Sequence, residues 1–93
     1  MIEMSQNALR RAQQRGISRD TVEMVGRLAD RKFRVPGGAV ALSLSPQARQ
    51  RCISEGHAAA QVERTKNIVL IADQKTRTVI TVQHGHRHGQ LRN

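Results

Sequence analysis

A chain of 93 residues is long enough for one domain with a single modest core and too short for two independent cores. The formal net charge of +9 indicates a polyanionic partner, which is either a nucleic acid or an acidic membrane surface. One cysteine excludes a disulfide framework, and a single aromatic residue argues against the stacking platforms typical of RNA-recognition motifs and oligonucleotide-binding barrels.

The first third of the chain predicts two short helices in tandem. Ser5 can cap a helix whose apolar residues share one side and whose other positions are rich in Arg, and Gly16 ends it. Ser18 can cap a second helix, with Asp20 in its first turn and apolar residues at helical spacing to about Asp30.

The next segment changes to the period of a strand. Phe33 and Val35 alternate with basic residues, the Pro-Gly-Gly at 36–38 marks a turn, and the following stretch alternates apolar with small residues. A hairpin is therefore predicted. The Ser-Pro pair at 45–46 then predicts the start of a third helix, which Gly56 either splits or ends.

A second hairpin is predicted near the C-terminus. The run at 67–72 is apolar on both faces, as in a central strand, and a polar turn follows it. Alternation along the last strand predicts Ile80, Val82 and His84 on one face, with Val79 on the other.

These elements predict one α+β domain over residues 1–93. It consists of two N-terminal helices, a β-hairpin, a third helix and a C-terminal β-hairpin, with a mostly antiparallel four-stranded sheet and the helices on one face. The tail at 85–93 is basic and rich in His, and we expect it to be flexible. Because no signal-peptide or membrane-spanning run is visible, a cytoplasmic location without membrane association is expected.

Charge is distributed unevenly along the chain. Most of the cations are Arg, whose planar guanidinium matches phosphates and base edges, and this favours nucleic acid over membrane. Both hairpins lie in stretches that have few acidic residues. If Lys32, Arg34 and Arg77 line the open face of the sheet, they form a basic concavity for a phosphate backbone. An ordinary solvated sheet face is the alternative.

Three histidines follow the last strand at alternate positions, His84, His86 and His88, with Arg87 among them. An imidazole can accept and donate a proton near neutral pH, which suits a metal-independent ribonuclease that must deprotonate a ribose 2′-hydroxyl. Two other interpretations stay open: alternate histidines can bind Zn²⁺ or Ni²⁺ adventitiously, or they can have no specific role.

The remaining catalytic candidates lie beside predicted strand ends. Arg64 and Lys66 could stabilise the phosphate during cleavage. Thr81 offers a hydroxyl in the last strand, although threonine is an ordinary strand residue. Phosphate-binding, dinucleotide-binding and zinc-protease motifs are not found in the sequence, so neither a cofactor nor a metal is expected.

The runs ALRRAQQRGIS, VPGGAVALSLS with PQARQR, and TVITVQHGHR resemble a family of small bacterial proteins. In that family, an Arg-rich first helix ends in RGI and a last strand reading VITV precedes His-Arg. The family is similar to the RelE-like ribonuclease toxins, whose superfold includes barnase, EndoU and colicin-type RNases. The resemblance implies cleavage of RNA without metal and neutralisation by an antitoxin or immunity protein.

Two departures from the family pattern affect the expected site. A histidine often found in the first helix is replaced by Asn7, which cannot transfer protons, while Arg10 and Arg11 remain as phosphate ligands. Gly85 separates the strand from His-Arg, so either His84 or His86 corresponds to the family position.

The sequence therefore favours an endoribonuclease toxin that acts on RNA, such as ribosome-bound mRNA or tRNA, and has an acidic antitoxin or immunity partner. One alternative is a non-enzymatic nucleic-acid-binding regulator from a phage or plasmid. Another is a small interaction protein, such as an inhibitor, that docks on an acidic protein.

Overall fold

A computed structural model describes residues 2–85, which form four helices and four strands. The helices are α1 (Gln6–Gln14), α2 (Arg19–Leu28), α3 (Pro46–Ser54) and α4 (Ala59–Glu63). The strands are β1 (Arg31–Val35), β2 (Ala39–Ser43), β3 (Ile68–Asp73) and β4 (Val79–His84). They form one antiparallel sheet in the order β1-β2-β3-β4, which confirms the predicted α+β class.

Serine caps start α1, α2 and α3 as the sequence predicts. The hydroxyls of Ser5, Ser18 and Ser45 accept hydrogen bonds at 3.0, 3.1 and 3.0 Å from the backbone N–H three residues further on. Each bond satisfies an N–H that has no partner within its helix. Pro46 occupies the first turn of α3, where its missing N–H costs nothing.

Asp30 belongs to a clamp between the two ends of the first hairpin, whereas the sequence predicts it at the end of α2. Its carboxylate accepts hydrogen bonds from the Ser45 backbone N–H at 2.8 Å and from the Ser45 hydroxyl at 2.6 Å. Desolvation acts to raise the pKa of Asp30, but the bonds from Ser45 outweigh it and hold that pKa below its ordinary value. The clamp joins the residue before β1 to the cap of α3.

The predicted third helix is split into α3 and α4. Gly56 follows α3 with a φ of +105°, a left-handed conformation that glycine adopts without the steric cost of a Cβ. The N–H of Gly56 donates to the carbonyl of Ile53 at 3.1 Å, and that of His57 donates to the carbonyl of Cys52 at 3.0 Å. These bonds close the end of α3, and the chain then turns into α4.

The core lies between the helices and one face of the sheet. Leu70 at the centre of β3 and Val82 beside it on β4 are both 0% exposed. Helix α1 packs against β4, while α2 packs against β2 and β3. Apolar residues of all four helices join the same cluster, including Ala8, Ala12, Val22, Val25, Ala48, Cys52 and Val62. Among residues 2–85, no helix is long and apolar enough to cross a bilayer.

A β-bulge in β4 changes the predicted alternation. Ala72 pairs with Val79 and Ile71 pairs with Thr81, so Ile80 is an extra residue. The prediction that Ile80 shares a face with Val82 is therefore wrong. Val79 is buried instead, and its N–H and carbonyl bond to Glu3 and Ser5, each at 2.9 Å. The bulge thus lets β4 bind the N-terminal segment.

Candidate nucleic-acid interface

Three of the predicted catalytic residues line one small cleft of about 250 Å³. Arg64 and Lys66 come from the turn between α4 and β3, and His84 comes from the end of β4. Arg15, beyond the end of α1, lines the same cleft. We call this cleft, which one imidazole and three cations line, the small cleft.

The local fold explains why these side chains meet. Strand β3 begins where β4 ends, and His84 pairs with Ile68 in the register of the two strands. The turn before β3 is held from inside by Thr65, which is 1% exposed and donates to the carbonyl of Val62 at 2.6 Å. Asn67 completes the turn with a φ of +63°. The turn therefore fixes the backbone positions of Arg64 and Lys66, while both side chains are exposed to solvent.

Of the other predicted catalytic residues, Thr81 does not line this cleft, and the rest are not among the described residues. Thr81 pairs with Ile71 and lies three residues before His84. Because side chains alternate between the faces of a strand, Thr81 lies on the opposite side of the sheet from His84. His86 and Arg87 lie outside the described residues, as does the rest of the predicted tail beyond Gly85.

Three of the predicted phosphate-binding residues line a second, larger cleft of about 890 Å³. Lys32 and Arg34 come from β1, and Arg77 comes from the β3–β4 turn. Arg27 in the last turn of α2 is a fourth cation on its wall. Both apolar and acidic residues also line it: the apolar ones are Ile2, Ala29, Phe33, Val40, Leu42, Ala72 and Val79, and the acidic ones are Glu3 and Asp73. We call this cleft the large cleft.

The large cleft lies on the helix-covered side of the sheet, so the prediction that Lys32 and Arg34 line the open face is wrong. Lys32 pairs with Leu42, which in turn pairs with the core residue Leu70. Cross-strand partners share a face, and Lys32 therefore lies on the side of the helices. Helix α2 packs on β2 and β3, and the space beside β1 is left for the basic side chains.

Arg77 adopts a backbone conformation that is uncommon for its residue type. Its φ is +66°, and its N–H donates to the carbonyl of Asp73 at 2.8 Å. The Asp73 carboxylate accepts from the N–H groups of Thr76 and Lys75 at 2.9 and 2.8 Å, and these bonds lower the pKa of Asp73. A tight turn thus holds Arg77 at the rim of the large cleft, at the steric cost of a positive φ.

An intermediate cleft of about 320 Å³ adjoins both basic clefts. It shares Arg27 with the large cleft and Arg64 with the small cleft. We call the row of three clefts along α2 the track, and the ten residues of α2 make it about 15 Å long. Asp20 and Glu23 line its middle, and Glu23 is paired with Arg19 at 3.4 Å. Positive charge is therefore concentrated at the two ends of the track.

Arg15 and Arg27 are site residues that sequence reasoning misses. Nothing in the sequence separates them from the other helical arginines, because only the docking of α1 and α2 on the sheet turns them toward the clefts. Conversely, the predicted ligands Arg10 and Arg11 are exposed on α1 and line none of these three clefts.

Asn7 at the start of α1 has a structural role in this chain. Asn7 donates from its Nδ2 to the carbonyl of Ile80 at 3.2 Å, and the hydroxyl of Ser5 donates to the same carbonyl at 2.9 Å. The start of α1 is thereby attached to the bulge of β4. Within residues 2–85, no group of three or more His, Cys, Asp or Glu side chains is placed to hold a metal ion.

Comparison of the chain with models of protein families, with curated proteins and with solved structures finds no match.

Proposed function

We propose that this protein binds single-stranded RNA along α2 and cleaves it without metal in the small cleft. The observation that carries the proposal is the meeting of His84 with Arg15, Arg64 and Lys66 around one cleft. One proton-transfer group and several cations are the components that metal-independent cleavage of a phosphodiester requires.

The proposed reaction is an internal transfer at phosphorus. The imidazole of His84 takes the proton of a ribose 2′-hydroxyl, whose oxygen then forms a bond to the adjacent phosphorus. The bond from phosphorus to the 5′-oxygen breaks, and the ammonium of Lys66 protonates that leaving oxygen. Arg15 and Arg64 stabilise the charge on the phosphate as it develops. The products are a 2′,3′-cyclic phosphate and a 5′-hydroxyl.

The large cleft would hold the phosphates that flank the cleaved bond. Arg27, Lys32, Arg34 and Arg77 supply four cations there against the two carboxylates of the same cleft. Its apolar lining suits unpaired bases, which present apolar faces as well as polar edges. The track of about 15 Å along α2 connects this binding region to the small cleft.

The resemblance to RelE-like toxins supports the same proposal. It extends the proposal to a partner, an acidic antitoxin or immunity protein, and to a substrate class, ribosome-bound mRNA or tRNA. The net charge of +9 fits both an acidic partner and an RNA substrate.

The test is cleavage of a labelled single-stranded RNA in the presence of a chelator. We expect His84→Ala to slow cleavage about 100-fold or more, because a general base acts mainly in the transition state. His57→Ala is the matched control, since His57 lies in the loop between α3 and α4 and lines none of the three clefts. Binding of a strand with 2′-deoxyribose at the cleavage site should be unchanged by either substitution.

The variants also separate the two candidate histidines. If His84→Ala cleaves normally and only the double variant with His86→Ala is slow, the proton-transfer role belongs to His86. If the double variant cleaves normally as well, the histidine mechanism is refuted.

A second candidate function is sequence-independent binding of nucleic acid without catalysis. The large cleft favours it, because its described lining has cations and apolar groups but no imidazole. This candidate replaces the first if the wild-type chain binds RNA tightly and leaves both total RNA and translating ribosomes intact.

A further inference from the structure

The two edges of the four-stranded sheet differ in what lies beside them. At the β4 edge, Met4 forms a bridge with Val79, and the side chains of Ser5 and Asn7 both donate to the carbonyl of Ile80. Helix α1 also packs on β4. At the other edge, the described chain places no strand beyond β1. The N-terminal segment and α1 therefore cover part of the β4 edge, whereas the sheet of the described residues ends at β1.

Strand β1 has the length and the exposure of a strand that can accept a partner. Its five residues extend over roughly 16 Å. Arg31, Lys32 and Arg34 are exposed, and Phe33 is 51% exposed. An edge strand directs alternate N–H and carbonyl groups outward, and an extended peptide can add to such an edge as a new strand. Pro36 directly follows β1 and has no N–H, so an added ladder ends with the strand.

The charge of β1 selects which strand can be added. Three of its five residues are cations and none is acidic. Lys32 and Arg34 lie on the helix side and Arg31 lies on the opposite face, so the strand is basic on both sides. Like charges directly opposite each other on neighbouring strands destabilise the pair, and opposite charges stabilise it. A second copy of β1 would place three cations against three cations, which excludes self-pairing and favours an acidic strand.

We propose that β1 accepts an extended acidic segment of a partner protein as a fifth strand of the sheet. Cross-strand partners share a face, so the segment should have acidic residues opposite Lys32 and Arg34. The residue between them lies opposite Phe33 and should be apolar. This alternation of acidic and apolar residues reads the same in both directions. It therefore holds whether the added strand is parallel or antiparallel to β1.

The added strand would compete with RNA for the large cleft. Lys32 and Arg34 are two of the four cations that line it. Carboxylates paired with them would neutralise the charges that we assign to RNA phosphates. This competition rests on the proposed function, whereas the formation of the added strand does not. A partner that binds at β1 would thus inhibit RNA binding without reaching the small cleft.

The test uses the capped peptide Val-Glu-Val-Glu-Val as the probe and NMR of the isotope-labelled chain as the readout. The peptide should slow hydrogen exchange at alternate N–H groups of β1. A peptide of the same sequence that is N-methylated at its third and fourth residues is the control for the ladder. Successive N–H groups of a strand point to opposite sides, so one of these two must face β1. This control keeps every charge and should bind roughly tenfold more weakly or worse.

An exchange of charge between protein and peptide tests the predicted pattern. Lys32→Glu with Arg34→Glu should weaken binding of Val-Glu-Val-Glu-Val roughly tenfold or more, and it should create binding of Val-Lys-Val-Lys-Val. Arg10→Glu with Arg11→Glu is the matched control. It changes the net charge equally, but both residues are exposed on α1 and line none of the three clefts. This control variant should keep most of the affinity, and circular dichroism should show that both double variants remain folded.

The proposal is overturned if about 5 mM Val-Glu-Val-Glu-Val slows exchange at no N–H of β1. It is equally overturned if the N-methylated peptide binds as well, or if the α1 variant loses as much affinity as the β1 variant, since charge alone would then explain binding. These outcomes do not depend on whether the chain cleaves RNA. An RNA titration with and without the peptide tests the competition separately. The peptide should raise the apparent Kd for RNA, and an unchanged Kd would refute the competition.

Discussion

The two faces of this sheet are made by the same four strands, yet they differ in cover and in charge. One face packs against the helices around Leu70, and the clefts at its margins hold the basic residues that we assign to RNA. The other face carries Phe33, Ala41, Ile71 and Thr81 in one row, with Arg31 as the one cation that the described strands place there. Because successive side chains of a strand point to opposite faces, a strand of five or six residues can contribute to two surfaces with different functions.

Strand β1 shows the separation most clearly. Arg31, Phe33 and Val35 lie on the face of the sheet opposite the helices, while Lys32 and Arg34 lie on the side of the helices. The apolar residues of this edge strand thus point away from the core. This arrangement is stable because α2 packs on β2 and β3, so the helix side of β1 stays accessible to water and accommodates long cationic side chains.

Two neighbouring residues on β3 provide the sharpest test of the difference between the face that the helices cover and the opposite face. Leu70 is 0% exposed and Ile71 is partly exposed on the opposite face. We expect Leu70→Ala to cost about 3–5 kcal/mol of unfolding free energy, because it leaves a cavity against the helices. Ile71→Ala should cost about 1 kcal/mol, since water already reaches this side chain. Urea unfolding at low protein concentration measures both values, and equal costs would contradict the contrast between the faces.

Alternating cations on β1 test the difference in charge. Lys32→Ala with Arg34→Ala should weaken RNA binding roughly tenfold or more and reduce the slope of log affinity against log salt by about 2. Arg31→Ala removes a cation from the same strand but from the face opposite the helices, and it should leave both the affinity and the salt slope nearly unchanged. Fluorescence anisotropy with labelled single-stranded RNA gives the affinities. If Arg31→Ala weakens RNA binding by half as much free energy as the double variant does, RNA also contacts the face of the sheet opposite the helices, which contradicts the assignment to the large cleft.

Local patterns were sufficient to predict the elements of this fold. The serine caps, the Pro-Gly-Gly turn and the apolar run of β3 each act over a few residues, so each is visible in sequence. The bulge at Ile80 could not be predicted, because it depends on the pairing of Val79 with the distant Glu3 and Ser5.

The site was only partly predictable for the same reason. The sequence predicts His84, Arg64 and Lys66 as site residues because they cluster beside strand ends, and strand ends that meet are a local consequence of a hairpin. The side of the sheet occupied by Lys32 was predicted wrongly, since the apolar Phe33 and Val35 suggest a buried face. The sequence does not reveal that the helices fail to cover β1, and Arg27 enters the site only through the docking of α2.

Arg77 offers a test in which binding and stability change in opposite directions. Arg77→Gly should relieve the positive φ and raise the unfolding free energy by up to about 1 kcal/mol, while it weakens RNA binding by removing a cation from the large cleft. Arg77→Ala removes the same charge and keeps the strain, so it should bind RNA as weakly as Arg77→Gly without the gain in stability. Thermal unfolding and RNA titration of the two variants check this pair of effects. Equal stability of the glycine and alanine variants would show that the turn stores no strain.

The smallest expected effect concerns the clamp between Asp30 and Ser45, which supports both faces because it closes the base of the β1–β2 hairpin. The hydrogen bonds from Ser45 lower the pKa of Asp30 in the folded state, so the ionised carboxylate stabilises the fold above its unfolded pKa of about 4. This contribution is lost as the pH falls through the folded pKa. Asp30→Asn keeps the shape of the side chain and removes its charge, and it should cost less than about 1 kcal/mol at pH 7 because the carboxylate is exposed to solvent. The difference in unfolding free energy between wild type and Asp30→Asn should shrink below about pH 4, and a difference that stays constant with pH would show that the charge of Asp30 does not stabilise the hairpin.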